Sequence, residues 1–150
     1  MDPKEFQSWV RENAAEREHI KRTAAGLSDQ ELSRPMGAGW TAAAILVHLA
    51  FWDARAITLI RKWQKEGVGE SPMDTDVVNE ATRELCLAIP PRAAAKLALE
   101  KATELDNIIE KLSPEWVDRI VEIGKTVRLK RFQHRKEHLD EIEKALGKRK

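Results

Sequence analysis

Tyrosine is absent from this 150-residue chain, and five tryptophans and three phenylalanines supply all the aromatic rings. Strand-forming clusters are scarce in consequence, which argues against a β-sandwich or barrel. A single cysteine, Cys86, excludes an intramolecular disulfide framework. No apolar run reaches the roughly 20 residues of a bilayer-spanning helix. The opening Met1-Asp2-Pro3-Lys4-Glu5 also lacks the apolar stretch of a secretory signal. Charge of one sign is missing too: 26 Lys+Arg against 25 Asp+Glu leave a net +1. Such a balance gives no global field to draw nucleic acid or an acidic membrane. The expectation is a cytoplasmic protein with neither a membrane nor a nucleic acid as partner.

What is present points to helices. Hydrophobic residues make up 42% and charged residues 34% of the chain, a mixture suited to one folded domain of ordinary size. Ala, Leu, Glu, Lys and Arg dominate, and these are strong helix formers. Asp2 and Pro3 open a first helix whose apolar stripe is Phe6, Trp9, Val10, Ile20, Ala24 and Leu27. Ser28-Asp29-Gln30-Glu31 reads as a capping box, and Gly37-Ala38-Gly39 as a loop. A second long helix runs from Thr41 to about Glu66, its inward stripe Ile45, His48, Leu49, Trp52, Ala56, Leu59, Ile60 and Trp63. A short helix follows near Asp76–Ala88, and a third long one spans about Pro91 to Leu112. A short turn then carries Trp116, Val117 and Ile120 before a last helix from about Lys125 to Leu146. Four long helices with apolar faces predict an all-α protein, a four-helix bundle with short accessory helices.

Two histidines, His134 and His138, lie four apart in the last helix, a spacing that stacks both imidazoles on one face. The stripe Val127, Arg131, His134, His138, Ile142 and Ala145 turns that face inward, and His48 lies on the inward stripe of the second helix. Three neutral imidazoles from two helices suit one divalent ion. Periodicity alone leaves a second reading open, in which the three are hydrogen-bonded core or solvated surface residues. His19 reads as surface.

Gly39-Trp40-Thr41 followed by His48-Leu49-Ala50-Phe51-Trp52-Asp53 resembles the "GW(S/T)…HLA.W(D/E)" motif of the DinB-like (YfiT-like) superfamily. His134-Arg135-Lys136-Glu137-His138-Leu139-Asp140-Glu141-Ile142 is similar to its "HxxxHLxQI" helix, and Asp76-Val77-Val78-Asn79-Glu80 more loosely to its "FN" segment. The resemblance implies an up-down-down-up bundle, frequently homodimeric, with His48, His134 and His138 as metal ligands. It also implies a small-molecule substrate and, in some members, a low-molecular-weight thiol. Those members include mycothiol-dependent maleylpyruvate isomerase and bacillithiol S-transferases; other members are known as stress-associated proteins. Val78 replaces the usual phenylalanine of the mid-chain segment.

Three imidazole ligands leave an open coordination position, which favours catalysis. The expected cofactor is therefore one divalent ion, zinc first, with nickel or iron also suited to imidazole. An enzyme of S-transferase, isomerase or hydrolase type, acting in stress response or detoxification, is the leading reading, and a non-catalytic metal- or ligand-binding stress protein is the alternative. Arg131, one turn before His134, is a candidate for holding a substrate carboxylate. Trp52 is placed as a pocket wall, and Asn13 and Arg17 as polar candidates for the same cavity. Glu137 and Asp140 point away from the stripe, and no catalytic residue is assigned. Cys86, between Leu85 and Leu87, reads as a buried thiol. The last helix puts Lys125, Arg128, Lys130, Arg131, Arg135 and Lys136 ahead of its acids, the reverse of what the helix dipole favours. Glu115, Asp118 and Glu122 are the expected neutralising partners, with nucleic-acid contact the lower-ranked alternative.

Overall fold

The caps read from the sequence start the helices. Asp2 accepts a hydrogen bond from the Lys4 amide and opens α1 (Pro3–Gly26). The Ser28/Glu31 capping box is complete and opens the single turn α2 (Asp29–Leu32). Thr41 accepts from the Ala44 amide and opens α3 (Ala42–Glu66). Then come α4 (Thr75–Leu87), α5 (Pro91–Glu110), α6 (Pro114–Glu122), a 3₁₀ turn (Gly124–Thr126) and α7 (Arg131–Ala145). The computed structural model describes residues 1–147.

Which ends of the helices meet fixes the topology. One apolar cluster joins the end of α1 (Ile20, with Leu27 just beyond it), the start of α3 (Ala42 to Leu49), the start of α5 (Ala94, Ala98) and the end of α7 (Leu139, Ile142). The other joins the start of α1 (Phe6, Trp9), the end of α3 (Ala56 to Trp63), the end of α5 (Leu105, Ile109) and Val127 and Leu129 just before α7. Helices α1 and α7 therefore run one way and α3 and α5 the other, an up-down-down-up bundle. Helix α3 is long and apolar enough to span a bilayer by length and composition, but its apolar surface is largely buried against the other helices.

Between the two clusters lies a polar layer contributed by all four long helices. Asn13 of α1, Asp53 of α3, Asp106 of α5, and Arg131 and Arg135 of α7 are all buried there. Arg135, fully buried, donates two hydrogen bonds to Asp106 (2.9 and 3.0 Å) and one to Asp53 (3.3 Å).

Four expectations need correction. The chain contains a small antiparallel ribbon, β1 (Pro35–Gly37) and β2 (Trp40–Thr41), where only a loop was expected. The tight reversal uses positive φ at Gly37, Ala38 and Gly39, a conformation that glycine adopts without steric cost.

Second, α7 starts at Arg131 rather than Lys125. Arg128 and Lys130 thus precede the helix, and Lys130 extends over the Trp9 ring, 4.9 Å from its centroid. The buried side of α7 is Arg131, Arg135, Leu139 and Ile142, with His134 and His138 on its flank and Ala145 exposed.

Third, the two buried arginines of this basic stretch take their partners from α3 and α5 rather than from α6. Asp118 pairs with the N-terminal amine and Glu115 with Arg119, while Arg131 and Arg135 pair with Asp53 and Asp106. Fourth, His19 is half-buried between helices, its ring nitrogens against Glu16 and Glu143.

Candidate metal centre

The cap at Thr41 fixes where α3 begins and so puts His48 two turns in, on its buried side. The ribbon lays Trp40 edge-on against His48, ring centroids 5.5 Å apart. One turn along α3, Trp52 packs edge-on at 6.4 Å, and its indole N–H donates to Asn79 Oδ1 of α4 at 3.0 Å. His48 is thereby held between two indoles, facing α7.

From α7, His134 and His138 close on it. The His48 and His134 Nε2 atoms are 3.2 Å apart, and ring centroids in the three pairs lie 4.8 to 5.1 Å apart. One ring nitrogen from each histidine falls within 4.8 Å of those of the other two.

The donor set fits a divalent ion. Two tetrahedral nitrogen ligands at about 2.0–2.1 Å from a shared ion stand about 3.3 Å from each other. A single hydrogen bond between neutral imidazoles has a similar length, but it accounts for one pair and not for three converging rings. His138 Nδ1 is buried without a hydrogen-bond partner, its nearest carboxylate being Glu141 Oε2 at 3.5 Å. An orphaned buried nitrogen in such a cluster is what a missing partner leaves.

Electrostatics favour the neutral, ligating form. Burial, reinforced by the charge of His138, pushes the His48 pKa down to about 4. Burial first, then Arg131 and the neighbouring histidines, pushes His134 down to about 2. Both therefore carry a free lone pair at neutral pH.

The histidines form one wall of a cavity of about 730 Å³, a size typical of small-molecule sites. Its other walls are Trp40, Trp52 and Asn79, the loop Ser71-Pro72-Met73, and the segment from Thr126 to Arg128. Arg55 ties the last two together, donating to the Thr126 carbonyl at 2.7 Å and the Ser71 carbonyl at 2.9 Å.

The site candidates read from the sequence separate here. His48, His134, His138, Trp52 and Arg131 all line this cavity. Arg131 does so while buried and committed through Nε to Asp53 Oδ1 at 2.9 Å. Asn13 and Arg17 do not line it. They belong to a separate cavity of about 200 Å³ between α1 and α5. Asn13 bonds the backbone at the start of α7, and Arg17 donates to Asp106 Oδ2 at 2.7 Å.

Glu137, expected to face away, lies on the cavity rim with Glu141. Sequence reasoning missed Trp40 as a wall, and it missed Asp53, Asp106 and Arg135 as a buried network. A signal existed for the two aspartates: Leu49, Asp53, Ala56 and Ile60 share a helical face, as do Ala102, Leu105, Asp106 and Ile109. Cys86 is buried against the first apolar cluster, where burial raises its thiol pKa.

Comparison with curated proteins gave no match, and comparison with solved structures gave none either. Comparison with family models did. That model, described as the mycothiol maleylpyruvate isomerase N-terminal domain, matches residues 13–142 and so takes in all three histidines. The chain belongs to that family, within the DinB-like helical superfamily whose motifs its own residues resemble.

Proposed function

We propose that this protein is a metal-dependent enzyme acting on a small molecule, with His48, His134 and His138 holding one divalent ion. The observation that carries this reading is the convergence of three imidazole nitrogens, within 4.8 Å of one another, on the wall of a cavity. Zinc is the expected occupant, and nickel and iron also suit such ligands. A divalent ion with an open position supplies Lewis acidity, enough to make a thiol or water nucleophilic near neutral pH.

The surrounding residues have distinct tasks. Trp40 and Trp52 pack against His48, shield that wall from water and limit its rotation. Arg128 and Arg131 line the cavity with positive charge, Arg131 while paired with Asp53, and suit it to an anionic substrate. Glu137 and Glu141 are the carboxylates lining the cavity among the described residues, and they are the groups placed to accept a proton. Family membership supports thiol-dependent chemistry, an S-transfer or isomerisation at an electrophilic small molecule.

The test is addition of a small thiol to an electrophilic probe, with and without zinc-loaded protein. The reading expects acceleration that His48→Ala and chelation each abolish. Zinc binding without acceleration, across several thiols and across ester hydrolysis, would leave a metal-binding protein and overturn the enzymatic reading.

A further inference from the structure

Helix α7 brings two of the three candidate ligands, and it begins badly by local rules. Lys130 provides no side-chain cap, and the first turn has no acid but carries Arg131 at the positive end of the dipole. The missing cap comes from another helix. Asn13 Oδ1 of α1 accepts from the Phe132 amide at 2.8 Å, and its Nδ2 donates to the Leu129 carbonyl at 2.9 Å. One side chain thus reads the backbone on both sides of the helix start.

The same helix is gripped again one turn further on. Arg135 Nη1 donates to the Asn13 carbonyl at 3.1 Å, and its two terminal nitrogens engage Asp106 and Asp53. Arg131 joins through Asp53. In sequence His134 directly precedes Arg135, and His138 lies one turn beyond it.

We infer that Asn13 and the Asp53–Arg135–Asp106 ion pairs are positioning residues for the histidine centre, fixing the rotation and register of α7 so that His134 and His138 meet His48. Each residue of a helix turns it by about 100°, so a slip of one residue would carry both imidazoles out of reach of α3. The buried Leu139 and Ile142 resist such rotation through packing, and directional bonds from buried groups on three helices fix the register at the helix start. The inference rests on the metal-centre reading above.

The experiment titrates cobalt(II) into metal-free wild type, Asn13→Ala, the shape-preserving Asp53→Asn, and Ile120→Val as a control in the second apolar cluster. Cobalt absorbance reports both affinity and coordination geometry. The inference expects at least a tenfold loss of affinity and an altered spectrum in Asn13→Ala and Asp53→Asn, on the scale of outer-shell substitutions at metal sites. Ile120→Val should lower the urea midpoint while keeping wild-type affinity and spectrum. If Asn13→Ala does not fold, Asp53→Asn decides. Wild-type binding by the folded variants, or an equal loss in Ile120→Val, would overturn the inference.

Wild type that takes up no cobalt overturns the metal reading instead. Amide exchange of the metal-free proteins then still decides the positioning role. At least tenfold faster exchange over residues 132–138 in Asn13→Ala, with α3 unchanged, upholds it, and unchanged exchange there overturns it.

Discussion

His48 on α3 and His134 on α7 are separated by 86 residues of sequence, yet their Nε2 atoms stand 3.2 Å apart. Neither is a surface imidazole: burial depresses both pKa values, to about 4 and about 2. Two neutral, desolvated bases face to face are costly to protonate, and that cost has a measurable sign.

In the unfolded chain both histidines titrate near 6.5. As pH falls below that value the unfolded state takes up protons that the folded state refuses, so folding stability falls. Above about pH 6.5 both states are neutral there and the histidines contribute no slope. The metal-free protein should therefore lose stability between about pH 6.5 and 4, by at most about 1.4 kcal/mol per pH unit for each histidine. Urea unfolding at pH 7.5, 6 and 5 measures this. His48→Gln should flatten part of the slope, and a wild-type slope unaffected by that substitution would contradict the burial argument.

Arg135 should be the most stability-critical charge on α7. It is fully buried and shared by Asp53 and Asp106. Truncating it to alanine removes a fully buried guanidinium and its bonds to Asp53, Asp106 and the Asn13 carbonyl, leaving Asp53 to Arg131 and Asp106 to Arg17, a loss of about 3–5 kcal/mol. Arg119→Ala, which breaks an exposed pair with Glu115, should cost less than about 1 kcal/mol. Parallel urea melts with equal losses for the two variants would show that the buried layer is not what joins the helices.

Cys86 should resist thiol reagents. It is 3% exposed against the first apolar cluster, and burial raises its pKa, so the reactive thiolate is scarce. Labelling with a disulfide reagent at pH 7.5 should be at least about a hundredfold slower than in urea, following the rarity of local opening. Rapid stoichiometric labelling of the native protein would contradict this placement.

Helix boundaries marked by caps and prolines were legible: Asp2, Ser28 and Thr41 each cap the helix they precede. The start of α7 was not, because its cap is Asn13, more than a hundred residues away. Local signals cannot reveal a partner supplied by tertiary packing. His48 shares an apolar stripe and the His134/His138 pair has helical spacing, so the three ligand candidates could be read from periodicity. Of the residues of α7 that face the core, Arg131 and Ile142 lay on the stripe read as inward, while Arg135 and Leu139 did not. Arg135 breaks the apolar pattern, and only the aspartates of α3 and α5 make its burial possible. Asn13 and Arg17 illustrate the converse: both interrupt an inward stripe, but they bond within the buried layer, to the start of α7 and to Asp106, rather than lining the histidine cavity.

The central claim is that His48, His134 and His138 hold one divalent ion, and metal content tests it most directly. Protein purified without a metal-affinity tag, reconstituted with zinc and desalted, should carry about one equivalent by elemental analysis. The His134→Ala, His138→Ala double variant, shown to be folded, should carry essentially none. No zinc, nickel or iron retained by wild type, or equal retention by the double variant, would contradict the account.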